Sequence, residues 1–220
     1  MISPYPFLEE LSLNNNREWF ASRRAEYEAV RTQWIAGLQR LIDAMASTYE
    51  PSFARLNARD CLYRINRNLR FSKDKTPYKT YFSALISPRG RHYDKACYYV
   101  HLGLEESGLY AGLWCPEPAV LRKVRKAIVD NIEEFEDIIT NPDLEKNFPG
   151  WIGRRLKTIP QGWPKDHPQA ELLRLQEYGK FHAVDRGFFE RDDWPERAAA
   201  LFAPTKALND FLNYSIDEDL

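Results

Sequence analysis

The chain has 220 residues, 44% of them hydrophobic and 29% charged, the composition of an ordinary globular protein. A net charge of −1 excludes a uniformly basic coat for nucleic acid but leaves room for a local basic patch. No run approaches the roughly 18 continuous apolar residues of a membrane span, so no membrane association is expected.

The N-terminus, MISPYPFLEE, lacks a basic stretch followed by an apolar run, so no signal peptide is expected. Phe7, Leu8 and Leu11 make a short apolar helical turn, and one of Asn14, Asn15 and Asn16 is expected to cap the next element. From Arg17 to about Ser47, Phe20, Tyr27, Val30, Trp34, Leu38, Leu41, Ile42 and Met45 recur in steps of three, four and seven. That period predicts one long helix with a buried stripe, and Arg23, Arg24, Glu28 and Arg31 are assigned to its solvated side.

Arg59 to Lys79, RDCLYRINRNLRFSKDKTPYK, dominates the chain. It sets seven basic residues against two aspartates in a protein whose net charge is −1. Cys61 to Ile65 alternates and is read as a strand. Ser72 to Tyr78, with its Lys-Asp-Lys run and Thr-Pro step, must leave regular structure. Strands are expected at Tyr81 to Ser87, Ala96 to Leu104 and Leu109 to Cys115, the last two as a hairpin closed by Glu105 to Gly108. Pairing Leu104 with Leu109 puts Val100, Leu102, Leu104, Leu109, Ala111 and Leu113 on one aliphatic face. Tyr99, His101, Gly103, Tyr110, Gly112 and Trp114 then share the other.

Beyond Pro116 a helix with Leu121, Val124 and Ile128 on its buried side precedes an acidic helical piece. Phe148 to Pro168 reads as an irregular connection, followed by a helix over Gln169 to Tyr178 and a strand over Phe181 to Asp185. A last helix from Trp194 to Asn213 is interrupted near Pro204, and Asp217-Glu218-Asp219 should fray. No linker or repeat divides the chain. The expectation is a single domain over residues 1–220, of the α+β class. It has a mostly antiparallel sheet packed against the long N-terminal helix and C-terminal helices.

The motif Arg64-Ile65-x-Arg67-x-x-Arg70-Phe71-Ser72-Lys73-Asp74-Lys75-Thr76-Pro77-Tyr78-Lys79-Thr80 resembles the signature of domain of unknown function 2461. Phe7-Leu8-x-x-Leu11 with Asn14-Asn15-x-Arg17-Glu18-Trp19-Phe20, and the strand Tyr98-Tyr99-Val100-His101-Leu102, resemble it too. The resemblance covers nearly the whole chain and implies a family without an assigned activity. Asn68 stands where that family usually has an aspartate, so no acid-base or metal role is carried over to it.

Function is therefore expected from the residues themselves. Arg64, Arg67 and Arg70 offer planar forks suited to phosphate or carboxylate, and Lys73, Lys75 and Lys79 offer point charges. Tyr78, Tyr99, Tyr110 and Trp114 complete the candidate ligand site, and Arg64, Tyr78 and His101 are expected to face one cleft. The structural alternative for the loop is Asp74 pairing with neighbouring arginines, and for the aromatic sheet face a second core layer rather than a pocket floor. His101 and Asp74 are the candidates for proton transfer. No metal is expected, because His92 and Asp94 are too local and no H-x-x-x-H or H-E-x-x-H occurs. No cofactor is expected either, because there is no P-loop, G-x-G-x-x-G or G-x-S-x-G. Three cysteines without C-x-x-C spacing suit a reducing cytoplasm. The expected activity is a cytosolic module that binds an anionic small molecule or nucleic acid at the basic motif. The alternatives are an enzyme using the same loop with the His101 face, or a protein-interaction domain without a pocket.

Overall fold

The computed structural model describes residues 3–218, so Met1, Ile2 and the Asp219 end of the expected frayed tail lie outside the described residues. The fold is α+β, around a four-stranded antiparallel sheet. The strands β1 (Tyr81–Ile86), β2 (Cys97–Gly103), β3 (Ser107–Leu113) and β4 (Tyr178–Ala183) lie in sequence order. By its contacts the chain divides into two compact units: Met1–His92, Tyr99–Leu109 and Ala183–Leu201 form one, and Tyr93–Tyr98, Tyr110–His182 and Phe202–Leu220 the other.

In the first unit, α1 (Tyr5–Leu13) buries Phe7, Leu8 and Leu11. The single helix expected from Arg17 is two, α2 (Arg17–Ser22) and α3 (Arg24–Thr48), broken at Arg23, whose φ of −105° and ψ of 14° leave the helical region. Asn16 caps α2 by accepting from the Trp19 N–H at 2.9 Å. The stripe of α3 is buried as its period requires, through Val30, Trp34, Leu38, Leu41, Ile42 and Met45. Tyr27 and Trp34 each hold their rings 6.2 Å from that of Phe82 in β1. Trp34 also stacks on Trp194 at 5.4 Å.

The strand expected over Cys61 to Ile65 does not form. Asn57 caps a helical turn, α4 (Ala58–Cys61), by accepting from the Arg59 N–H at 2.9 Å. Beyond it the chain makes two isolated antiparallel bridges, Leu62 to Ala84 and Asn66 to Tyr78. Four residue steps on one side face six on the other, so no continuous ladder can close between them. The path nonetheless runs alongside β1, with Tyr63 N–H on Ser83 C=O at 3.1 Å and Lys79 N–H on Ile65 C=O at 2.8 Å.

The hairpin closes between Gly103 and Ser107, with three residues between them, rather than across Glu105 to Gly108. The Ser107 hydroxyl accepts from the Gly103 N–H and donates to the Gly103 C=O, each at 3.1 Å. That side-chain clamp ends β2 at Gly103 rather than the expected Leu104, and β3 starts at Ser107 rather than Leu109. Val100, Leu102, Leu109, Ala111 and Leu113 are buried, but so is every other residue of β3, which lies between β2 and β4 in the sheet order. Tyr110 is therefore a core residue rather than one side of an open aromatic face.

In the second unit, α5 (Pro118–Asp130), α6 (Ile132–Ile139), α7 (Pro142–Asn147) and α8 (Ala170–Leu173) are followed by α9 (Trp194–Phe202), which starts in the first unit, and α10 (Lys206–Asp217). Leu113, Val124, Ile128, Phe135, Tyr178, Phe211 and Leu212 form its apolar core. The helix expected over Gln169 to Tyr178 shortens to α8 because the backbone beyond it pairs elsewhere. Leu156 N–H donates to Arg174 C=O at 2.8 Å and Gln176 N–H to Arg154 C=O at 3.0 Å. β4 consequently begins at Tyr178, ahead of the expected Phe181. The interruption at Pro204 is a single 3₁₀ turn between α9 and α10.

Candidate functional site

A cleft of about 870 Å³ opens within the first unit, the size range of small-ligand sites. One wall comes from α2 and α3, with Arg17, Arg24 and Arg31. The other comes from the motif segment and the turn after β1, with Arg59, Arg64 and Arg91. Glu28 is the one carboxylate in the lining, and it serves two of these arginines loosely, at 3.7 Å from Arg24 and 3.7 Å from Arg31. Among the described residues Arg17, Arg59, Arg64 and Arg91 form no ion pair. Six guanidinium groups thus face one cleft with one anion between them.

Aromatic packing fixes this arrangement. Phe20 of α2 stacks on Tyr78 with ring centroids 3.9 Å apart, and Phe20 also meets Tyr27 of α3 at 5.0 Å. The Asn15 side chain bonds both backbone groups of Tyr78, accepting from its N–H at 3.1 Å and donating to its C=O at 2.9 Å. An asparagine ahead of α2 thereby ties the return of the motif loop to the helical wall. Phe20, Tyr27, Tyr78 and Ile65 all belong to the lining, so the arginines project from a packed base.

The motif loop itself is partly self-satisfied. Arg67 is paired with Asp74 and also donates to the Thr76 hydroxyl at 2.6 Å. Asp74 accepts from the Thr76 N–H and hydroxyl, each at 2.9 Å. The Thr76 N–H and Arg67 hold the Asp74 carboxyl down at about 2, an anion with no proton to give near neutrality. Lys75 donates to the Leu69 C=O at 3.2 Å, and Arg70 lies over the Phe71 ring at 5.3 Å. Of the motif's candidates, Arg64 and Tyr78 line the cleft. Arg67, Arg70, Lys73, Lys75 and Lys79 do not.

Lys79 and His101 belong to an aromatic group beside the cleft. The Lys79 ammonium sits 5.5 Å from the Tyr63 ring and 5.4 Å from that of Tyr81. His101 stands 4.5 Å from Tyr81, and its Nδ1 is 3.4 Å from the Tyr99 hydroxyl. Burial pushes the Tyr99 phenol up to about 12. Burial, then the Arg64 charge, lowers the Lys79 ammonium. Burial likewise lowers His101, with Glu106 opposing and Lys79 adding to the effect. His101 is outside the cleft lining, so Arg64, Tyr78 and His101 do not share one wall.

A pH dependence follows from these charges. Because the folded-state value of His101 lies below its ordinary 6.5, the protein's stability gains from neutral His101 above about 6.5 and loses it as pH falls towards the lowered value. Lys79→Met is expected to raise the His101 value in an NMR titration, since it removes a like charge. An unmoved titration would mean that the two groups are not electrostatic neighbours.

Tyr110 and Trp114 belong to the second unit, where their rings meet at 5.4 Å. Tyr110 is buried, its hydroxyl lacks a partner among the described residues, and it fills the space that a side chain at Gly179 would need. Trp114 is exposed. Among the described residues no three His, Cys, Asp or Glu side chains gather as a metal site requires. No helix of the described residues is long and apolar enough to cross a membrane.

Five of the six cleft arginines were not among the candidates drawn from the sequence. The helical period assigns Arg24 and Arg31 to a solvated face. One trace of their role was present: Arg17, Arg24 and Arg31 follow each other at seven-residue steps, in phase with Phe20 and Tyr27. Nothing local marks Arg59 and Arg91 as their opposite wall.

Residues 4–211 match the profile of a family described as conserved hypothetical protein, DUF2461. No curated protein and no solved structure matches the chain.

Proposed function

The chain belongs to the DUF2461 family, whose description names no activity, and from the cleft itself we propose that the protein binds a phosphorylated, multiply charged anion. The observation that carries this is the concentration of Arg17, Arg24, Arg31, Arg59, Arg64 and Arg91 around a single carboxylate. Like charges gathered around one cleft repel one another. An anion between the walls relieves that repulsion, and guanidinium forks meet phosphate oxygens two at a time. The basic motif contributes through Arg64, Asn66 and Tyr78, with its apical residues held outside. A cytoplasmic location fits this ligand class and the three free cysteines, Cys61, Cys97 and Cys115.

Less supports an enzyme at the same place. Asp74 is an engaged anion and His101 lies in the neighbouring aromatic group, so neither candidate for proton transfer faces the cleft. A flat protein-interaction surface fits a concave arginine-walled cleft poorly. Inorganic tripolyphosphate should raise the thermal midpoint of the full chain at matched ionic strength, and Arg64→Ala should diminish the rise. An equal rise in both proteins would place the anion elsewhere, and no rise in either would remove the proposal.

A further inference from the structure

We propose that the anion is single-stranded nucleic acid, its phosphates held by the arginine walls and one base stacked on Tyr63. This rests on the anion-binding function above and specifies its ligand. The first support is length. Arg24 and Arg31 stand seven residues apart in α3, a rise of about 10.5 Å at 1.5 Å per residue. Arg17 precedes Arg24 by a further seven residues, at the start of α2. One phosphate is satisfied by one or two guanidinium forks. Cations about two helical turns apart on α3, with Arg17 on α2 and three more on the facing wall, match a chain of phosphates.

The second support is an aromatic ring placed among those cations. Tyr63 is 39% exposed and lines the cleft next to Arg64. Phe20, Tyr27 and Tyr78 of the lining are packed on one another, and the Tyr63 ring, with Tyr99 at 6.3 Å and the Lys79 ammonium at 5.5 Å, is the most exposed aromatic of the four. A basic groove with an accessible aromatic ring is how proteins hold single strands with little sequence preference. Duplex offers such a ring only base edges in its grooves, whereas an unpaired base offers its face.

The third support lies beyond the cleft but starts in it. Asn66 and Tyr78 both line the cleft and are bridged to each other, so the motif loop springs from the site. At its apex Phe71 is 89% exposed, with Arg70 over its ring and Lys73 two residues on. The pairing of exposed aromatic with cation is repeated there, a second stacking position for a strand that leaves the cleft along the loop.

The test is fluorescence anisotropy of the full chain with a labelled oligothymidylate of about eight nucleotides, within the footprint of known single-strand sites, and with an abasic strand of the same length. The base-bearing strand should bind at least about fivefold more tightly, the lower end for one stacked base. The difference should vanish in Tyr63→Ala and persist in Tyr63→Phe. Equal binding of the two strands by the wild-type protein would overturn the inference without recourse to any variant. Binding of inorganic tripolyphosphate but of neither strand would overturn it and leave the anion-binding function standing. Binding of none of the three would overturn both.

Discussion

Arg24→Glu combined with Arg64→Glu is expected to weaken tripolyphosphate binding by about 100-fold or more while leaving the protein folded. The two arginines stand on opposite walls of the cleft, so the pair removes a contact from each side of the ligand. A hydrogen bond to a charged group is worth about 1.5–3 kcal/mol, and each tenfold in affinity corresponds to about 1.4 kcal/mol. Two lost contacts of that size reach 100-fold even with incomplete additivity, and the new carboxylates add repulsion. Folding should lose less than about 1 kcal/mol. Arg64 has no ion-pair partner among the described residues, and Arg24, with its side chain 71% exposed, meets Glu28 only at 3.7 Å. Lys73→Ala, in the exposed loop outside the lining, is the matched control. Isothermal titration and thermal melts check both halves. A melt lowered as far as a core mutant's would make the two arginines structural.

The largest loss of stability is expected from Gly112→Ala, about 3 kcal/mol or more. Gly112 has a φ of 121°, in the region that side chains disfavour. Residues held in such conformations cost about 1–3 kcal/mol. A Cβ there would also stand 2.1 Å from the Tyr178 carbonyl oxygen, a backbone atom of the neighbouring strand that cannot turn aside. Overpacking of this kind costs about 1–3 kcal/mol more. Urea denaturation should show the drop directly. A loss below about 1 kcal/mol would mean that β3 and β4 do not approach as closely at Gly112 as the structure has them.

The parts of this fold that were legible in the sequence are those set by local period. The stripe from Val30 to Met45 specifies α3 because its members face one way whatever lies opposite. The break at Arg23 carries no Gly or Pro to announce it. Cys61 to Ile65 alternates as a strand does, but alternation cannot show that four steps on one side would meet six on the other. The expected hairpin loop, Glu105 to Gly108, counts Ser107 and Gly108 as loop residues, whereas the Ser107 hydroxyl bonds both backbone groups of Gly103 and both residues belong to β3.

The candidate site divides the same way. Charge density drew attention to the stretch from Arg59 to Lys79, and Arg64 and Tyr78 do line the cleft. Within that stretch, Arg67 and Asp74 are seven residues apart and satisfy each other, which density alone does not reveal. The opposite wall is built by Arg17, Arg24 and Arg31, far earlier in the chain, and the contacts of Phe20 and Asn15 with Tyr78 bring it into place. A charged residue on an exposed helix face looks the same in sequence whether water or another arginine stands across from it.

The most direct measurement of the central claim is an NMR titration of the arginine side-chain Nε–H signals with inorganic tripolyphosphate. Arg24, Arg59, Arg64 and Arg91 should shift together and saturate with a single affinity. Arg155 and Arg174, each 3.0 Å from Glu171 in the second unit, should stay in place. Cleft arginines that do not move, or that move no more than Arg155 and Arg174, would contradict the claim.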